Sequence, residues 1–375
     1  MKKIAMFINV DWFFFSHRLP IARASKRNDV DMSVYTEFTE DHSGKWDHEF
    51  KLIQSPINRT SKSFIHTFFE FINAHNTLRA ASPDLIHAVS IKPILITGII
   101  ARIQSIPFIG AISGLGPAFQ ANSFIKRIRL WLVIKLFRFI FRNSKSNIIC
   151  QTASDRDALV DRKIISTERV TLIPGSGVDI KKFIPNAEAS ISNKYILMSS
   201  RILRDKGIEE FCKAAKIVND KLEEKVKFKL SGIIDSHSPT FLSEEELKEI
   251  TLRYGVEFLG NRKDMPALLA SALMFVLPSY YAEGIPKVLL EAASCGLPII
   301  TTDHPGCRDA IKDQETGILI PPKNSLALAD AIIRLLETPK LMTQMGVAAR
   351  SFAEEKFKQS RVVDLHYDIY QQLSN

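Results

Sequence analysis

The chain has 375 residues, 46% of them hydrophobic and 24% charged, with a formal net charge of +9. That balance excludes a disordered polymer, and the length exceeds what one ordinary core organises, so two domains are expected. Cysteines at 150, 212, 295 and 307, without C-x-x-C or zinc spacing, exclude a disulfide scaffold and point to reduced thiols in a cytoplasmic setting.

The start imitates a secretory leader, with Ala22-Arg23-Ala24 in the place of a cleavage site. Asp11, His17 and Arg18 interrupt its apolar region, however, and residues 4–10 fit a first buried strand better. A loop over 11–16 then carries Trp12-Phe13-Phe14-Phe15 at the carboxyl end of that strand, the edge where open α/β sheets hold ligands. A helix follows over about 17–27. Residues 32–35 read as the second strand, and 36–60 as a polar region with a short strand near 50–53. The helix at 63–80 has apolar positions Phe64, Phe68, Phe71, Ile72 and Leu78. Asp84-Leu85-Ile86-His87 opens another strand, with Ser90-Ile91-Lys92-Pro93 after it; a lone histidine at such a place is structural about as often as functional. Residues 107–112 are the next strand, ending in Ser113-Gly114-Leu115-Gly116.

Residues 122–145 form a helical stretch with seven basic residues and no acidic one. Lys135, Arg138, Arg142 and Lys145 recur at three- and four-residue steps and line one stripe, joined by Lys126, Arg127 and Arg129. Trp131, Phe137, Phe139 and Phe141 supply apolar surface. The stretch is too interrupted to span a bilayer and suits its interface; a core helix with snorkelling basic ends is the plain alternative. No run of about 18 uncharged apolar residues occurs anywhere, so no spanning helix is expected.

A strand at 147–151, a short helix at 154–161 and the run 170–173 lead through Pro174-Gly175-Ser176-Gly177 to a loose polar stretch, which puts the domain boundary at about 185–193. Strands at 195–200, 226–231, 256–259, 273–277, 299–302 and 317–320 then alternate with helices near 207–220, 241–253, 264–271, 286–295, 306–312 and 325–337. Such alternation implies a parallel sheet covered on both faces, hence a second Rossmann-like domain. A further amphipathic helix and a last one at about 357–373 close the chain. Residues 1–190 carry 26 Lys and Arg against 16 Asp and Glu, while 191–375 carry 24 against 25. The first half therefore calls for an anionic partner, either nucleic acid or an acidic membrane.

The chemistry concentrates in residues 277–298. An apolar strand closed by Pro278 delivers a glycine-bearing loop to a helix that starts near Pro286 and stops at Gly296 and Pro298. A helix N-terminus in that position presents N–H groups and a positive dipole end to a phosphate. Glu283 and Glu291 flank the point, and carboxylates hold sugar diols well. The bland alternative pairs Glu291 with Lys287, four residues earlier on a solvated face. No G-x-G-x-x-G follows the first strand and no P-loop pattern occurs. Asp29-Val30-Asp31 has a D-x-D form but precedes the second strand, away from any ligand edge.

Glu283 and Glu291, with seven residues between them, resemble the E-x7-E signature of retaining glycosyltransferases of family four. Arg201 to Lys206 resembles the R-x4-K pyrophosphate motif of the same family, and the stretches 172–179 and 302–307 are similar to its inter-domain link and post-signature loop. The resemblance implies an α/β GT-B fold of two Rossmann-like domains whose parallel sheets face a central cleft. Residues 1–185 would be the acceptor- and membrane-facing domain, 186–355 the nucleotide-sugar domain, and 356–375 a helix crossing back to the first.

It further implies transfer of a sugar, an N-acetylhexosamine by preference, from a UDP-sugar to a polyprenyl-diphosphate-linked saccharide at the inner face of the membrane. Arg201 and Lys206 would neutralise the diphosphate without an essential metal or other cofactor, and Glu283 would take the donor sugar. Glu291 would hold the ribose, the backbone of Gly284, Ile285, Pro286 and Lys287 would lie near the β-phosphate, and Gly260 and Asn261 would read the base. His17, Arg18, His87, Lys92, Ser113 and Gly114 would line the acceptor side. Ser113-Gly114 departs from the histidine that many members place there and resembles a surface-polysaccharide subgroup. A UDP-sugar epimerase of related fold and a basic nucleic-acid-binding protein are the competing classes; no nucleic acid partner is expected on the family reading.

Overall fold

The computed structural model describes residues 1–39, 50–59, 63–119, 123–186, 195–236 and 238–374. The chain forms two compact units, Met1–Ser176 with Ser360–Asn375, and Gly177–Gln359.

The first unit is built on seven parallel strands in the order β3-β2-β1-β4-β5-β6-β7. They are β1 Lys2–Ile8, β2 Val30–Thr36, β3 Lys51–Gln54, β4 Leu85–Val89, β5 Phe108–Ile112, β6 Ser146–Cys150 and β7 Val170–Leu172. Strand β1 sets the register on both sides, with Ile4 opposite Met32 in β2 and Leu85 in β4. Strands β4, β5 and β6 are buried along their whole length, which is why they read as unbroken apolar runs. Near one end of the chain lie α1 Asp11–Phe13, a π-helical turn Phe14–Arg18 and α2 Leu19–Arg23. On one face lie α3 Phe64–Ala81, α4 Ile91–Gln104 and α5 Phe124–Ile140, sharing a core of Ala74, Leu78, Ile94, Ile100, Phe137 and Ile140. The other core joins Phe14 and Ile21 to Val362, Val363 and Tyr370 of the last helix, which runs Gln359–Ser374. After β6 comes α6 Ala153–Asp161.

Three sequence expectations change here. Residues 11–16 are helical rather than a loop, and the buried Asp11 carboxylate anchors their start by accepting the N–H of Trp12 at 2.7 Å and the hydroxyl of Thr39 at 2.7 Å. Helix α4 had no counterpart in the reading: it is apolar on nearly every side and so lacks the 3.6-residue alternation of a surface helix. In α3 the inward residues are Glu70, Ala74 and Leu78, whereas Phe68 and Ile72 face solvent.

The second unit repeats the topology with six parallel strands in the order β10-β9-β8-β11-β12-β13. These are β8 Tyr195–Ser199, β9 Lys227–Ser231, β10 Val256–Phe258, β11 Met274–Leu277, β12 Ile299–Thr302 and β13 Gly317–Ile320. Around them lie α7 Ile208–Lys221, α8 Glu244–Tyr254, α9 Met265–Ala270, α10 Lys287–Ser294, α11 Ser325–Glu337 and α12 Pro339–Lys356; the last helix of the chain, introduced above, is α13. Helix α8 begins in a capping box of Ser243 and Glu246 and ends at Gly255 in the left-handed region. The helix expected at 306–312 is a single 3₁₀ turn, Arg308–Ala310. Residues 177–185 associate with this unit and not the first: Val178 donates to Phe357 at 2.7 Å and accepts from Gln359 at 3.0 Å. Arg350 clasps the same segment by donating to the carbonyls of Ile180 and Phe183 at 3.1 and 2.7 Å. In both sheets the strand order reverses once, at β1/β4 and at β8/β11, and such switch points open a crevice at the carboxyl edge. Among the described residues no helix is long and apolar enough to cross a membrane.

Helix α13 is held in the first unit by a buried polar cluster. The Tyr370 hydroxyl lies 2.7 Å from His87 Nδ1, and His366 Nδ1 donates to the Val362 carbonyl at 2.7 Å. Burial, reinforced by the Arg18 charge, pushes His366 down to about 3; burial, His366 and Arg18 together hold His87 well below its usual value. An unfolded histidine titrates near 6.5, so below that pH the unfolded state binds protons that the folded state refuses, and stability falls as pH falls. At pH 5.5 each histidine is expected to cost on the order of 1 kcal/mol relative to neutral pH. Amide exchange of residues 359–374, corrected for intrinsic rates, should show this loss, and His366→Leu should remove about half of it. A pH-independent protection would contradict the buried neutral state.

Candidate active site

Two loops meet at the β8/β11 switch point. The first leaves β8 and makes the 3₁₀ turn Arg204–Lys206; the second leaves β11 and ends at α10. Tyr280 N–H donates to the Asp205 carbonyl at 2.8 Å and Ser279 Oγ to the same oxygen at 3.4 Å, stitching the loops together. Gly207 sits at φ +80°, with the Pro278 carbonyl oxygen 2.3 Å from where a Cβ would stand. From below, Gly306 at φ +87° presses on the loop, where a Cβ would stand 2.3 Å from the Gly284 oxygen and 2.9 Å from that of Glu283. Both contacts need glycine, for conformation and for space. The stretch 302–307 therefore acts as a shelf under Glu283 and Gly284, aided by the Thr302 hydroxyl, which donates to the Ser279 carbonyl.

On this frame Lys206 is nearly buried, and its ammonium pairs with Glu283. Arg201 Nη1 donates to Asp235 Oδ2 at 2.9 Å. Tyr281 contacts both cations, with the Arg201 guanidinium 5.2 Å and the Lys206 ammonium 5.1 Å from its ring centroid. Neither Tyr281 nor Asp235 was picked out from the sequence, because an aromatic face and an acid 34 residues from Arg201 carry no spacing signal. Glu291 lies 3.5 Å from Lys287, so the predicted i,i+4 contact exists, but the carboxylate is largely buried and not on a solvated face. Burial raises its pKa, opposed by the charges of Lys287 and Lys182. Pro286 is the N-cap residue of α10, and Ile285 is buried beside it. Gly260 receives the N–H of Gly232 at 2.9 Å and the Ser231 hydroxyl at 3.0 Å on its carbonyl, which brings exposed Asn261 to the same sheet edge.

In the first unit the β1/β4 switch point gathers most of the remaining candidates. His17 stacks on Phe13 with ring centroids 4.3 Å apart and lies 2.6 Å from Ser16 Oγ through Nδ1. Arg18 and His87 are interior residues, and Arg18 Nε and Nη1 find no hydrogen-bond partner among the described residues. Lys92 is tied to Glu70 at 2.8 Å and to the Asn58 carbonyl at 2.6 Å. Ser113 and Gly114 end β5 half-buried. Of the membrane-facing set, Lys126, Arg127, Arg129, Trp131, Lys135, Arg138 and Arg142 are all exposed; Arg138 also donates to the Arg162 carbonyl at 2.6 Å. Phe137 and Phe141, expected on that surface, are core residues.

Two doubly wound parallel domains with cations and carboxylates at one switch point describe a GT-B protein. Solved structures share the architecture: sucrose-phosphate synthase from Thermosynechococcus elongatus matches with a TM-score of 0.79 at 21% identity, covering 100% of this chain and 99% of that one. Anabaena HepE in complex with UDP-glucose matches with a TM-score of 0.75 at 19% identity over 100% of both chains. The family models "Glycosyltransferase Family 4" and "Glycosyl transferases group 1" match residues 19–182 and 179–352, between them most of the sequence, and the chain belongs to this glycosyltransferase family. It is 27% identical over 346 residues, 88% of this chain and 89% of the other, to the N,N'-diacetylbacillosaminyl-diphospho-undecaprenol alpha-1,3-N-acetylgalactosaminyltransferase of Campylobacter jejuni. It is 26% identical over 320 residues, 82% and 80% of the two chains, to the UDP-Gal:alpha-D-GlcNAc-diphosphoundecaprenol alpha-1,3-galactosyltransferase of Escherichia coli.

The shelf under the loop is testable through its glycine. Gly306→Ala should lower the unfolding free energy by about 2–3 kcal/mol, from left-handed strain plus backbone overlap. Gly255→Ala, at φ +68° with nothing within 4 Å, should cost only about 1 kcal/mol. Urea midpoints of the two variants measure the difference, and equal costs would mean that Gly306 does not support the loop.

Proposed function

We propose that the protein is a retaining glycosyltransferase that moves an N-acetylhexosamine from a UDP-sugar to a saccharide carried on undecaprenyl diphosphate, working at a membrane surface during glycan assembly. The observation that carries this reading is the Arg201–Tyr281–Lys206–Glu283 cluster at the second switch point, where the loop after β11 leads into α10. The names of the Campylobacter and Escherichia relatives support the lipid-linked acceptor and, in the first, the acetamido sugar.

A departing nucleoside diphosphate gains charge as the glycosidic bond breaks. Arg201, Lys206 and the N-terminus of α10 would meet that charge, so they stabilise the transition state more than the bound donor. Two fixed cations then take the part that a divalent metal plays elsewhere, and the reading requires no essential metal. Donor binding would draw Lys206 from Glu283 to the phosphate and release Glu283 to accept sugar hydroxyls. Glu291 would accept the ribose diol, whose donated hydrogen bonds favour its ionised form against the burial that raises its pKa. The reading lets the acceptor hydroxyl attack on the face the diphosphate leaves, passing its proton to the departing phosphate oxygen, which retains configuration without a protein nucleophile. Gly260 and Asn261 would meet the base. The acceptor is assigned to the carboxyl edge of the first sheet, near His17, Ser113 and Gly114.

Donor hydrolysis, which needs no acceptor, tests the donor: among sugar nucleotides, UDP-N-acetylhexosamines should be consumed fastest, with UDP-galactose the comparison that the Escherichia relative suggests. Arg201→Ala and Glu291→Ala are each expected to reduce turnover by 10²–10³-fold, about 2.7–4 kcal/mol, with unchanged folding. Near-parental rates in either would remove it from the site. Turnover should also persist in EDTA, and an absolute dependence on added magnesium or manganese would contradict the cation-based mechanism.

A further inference from the structure

We infer that the first unit docks on an anionic phospholipid surface through two helices, α5 supplying charge and α3 a second apolar edge that enters the headgroup layer. The inference rests on the lipid-linked acceptor of the proposed function and names the surface that brings the enzyme to it.

Helix α5 is held to its unit by Val133, Phe137 and Ile140, while Phe124, Ile125, Ile128, Trp131 and Leu132 stand exposed, Ile125 at 79%. Arg127 joins Phe124, Ile128 and Trp131 around a depression of about 450 Å³. Helix α3 repeats the feature without the charge: Ile65, Phe68, Phe69 and Ile72 follow one stripe at three- and four-residue steps, and both phenylalanines are 57% exposed. Neither helix turns a negative charge outward. Helix α5 has no acidic residue, and the one acid of α3, Glu70, is buried and paired with Lys92.

Topology puts the two stripes on one front. Helices α3 and α5 share a core with α4 on the same face of the sheet, which separates their axes by roughly 20 Å. Each runs back from the carboxyl end of one strand to the start of the next, so their N-terminal halves, where both stripes lie, point to the carboxyl edge. That is the edge of His17, Ser113 and Gly114. Exposed bulky apolar side chains flanked by cations match a headgroup layer over hydrocarbon; a nucleic acid would use the cations and leave Ile65, Phe68 and Ile125 in water.

The four native cysteines are buried, so an environment-sensitive dye on Phe68→Cys or Ile125→Cys labels one site in the full chain. Both dyes should shift to the blue with vesicles of mixed phosphatidylglycerol and phosphatidylcholine, and far less with phosphatidylcholine alone. Reversing Lys126, Arg127 and Lys135 to Glu should lower partitioning about a hundredfold and remove its salt dependence. Phe68→Ser with Phe69→Ser should lower it on the order of tenfold and leave the salt dependence in place. Donor hydrolysis should be unchanged in both variants; its absence from the parent would refute the transferase reading, whatever the vesicles show. A dye at 68 that stays in water while the dye at 125 is shielded would exclude α3 from the surface. Parental partitioning in both variants, binding to DNA but not to vesicles, or a dimer in solution that Phe68→Ser with Phe69→Ser dissociates, would each overturn the inference.

Discussion

An ammonium group drawn almost out of water holds its charge only beside a counter-charge, and Lys206 has that partner in Glu283. Leaving such an ion alone in the interior costs several kcal/mol, so the pair ties the loop after β8 to the loop after β11. On the proposed function the pair also accounts for a carboxylate beside a phosphate: Glu283 neutralises the lysine, and a bound diphosphate would take over that role and free the carboxylate for hydroxyl groups. Tyr281 gathers the second cation, Arg201, to the same ring, so the two positive groups share one aromatic side chain.

Rigidity around the pair comes from backbone contact more than from side chains. Gly207 and Gly306 allow the β11 loop to be gripped on two sides at separations that any Cβ would prevent. Functional groups on a frame of this kind keep their geometry without a tightening step, which is what electrostatic stabilisation of a short-lived charge requires. In the first unit the tie is different. Helix α13 is carried by Tyr370, Tyr367 and His366, with Tyr367 donating to the Ile21 carbonyl at 2.8 Å. The end of the chain thus completes the core beneath the π-helical turn that holds Arg18.

The repeated strand order explains why one sequence pattern suffices for two domains. Each half places its first and fourth strands side by side, and the crevice there collects whatever follows them in sequence. In the second half these are the Arg201 and Glu283 loops, both legible as motifs. In the first half they are the His17–Arg18 turn and the strand of His87. Of His17, Arg18 and His87, His17 is half-exposed, whereas Arg18 and His87 serve the interior.

Strand and helix alternation, the one-sided charge of residues 122–145 and the spacing of Arg201 with Lys206 and of Glu283 with Glu291 are set within a turn or two of chain, and were readable for that reason. Helix α4 was not, because a helix buried on nearly all sides loses the alternation that marks one. Nor did spacing reveal Tyr281 beside two cations, Asp235 on Arg201, or Tyr370 on His87 across 283 residues. Those partners are chosen by the order of strands in each sheet. The same holds for exposure: Phe68 and Phe137 are alike in sequence, and only the neighbours that the fold supplies put one in water and the other in the core.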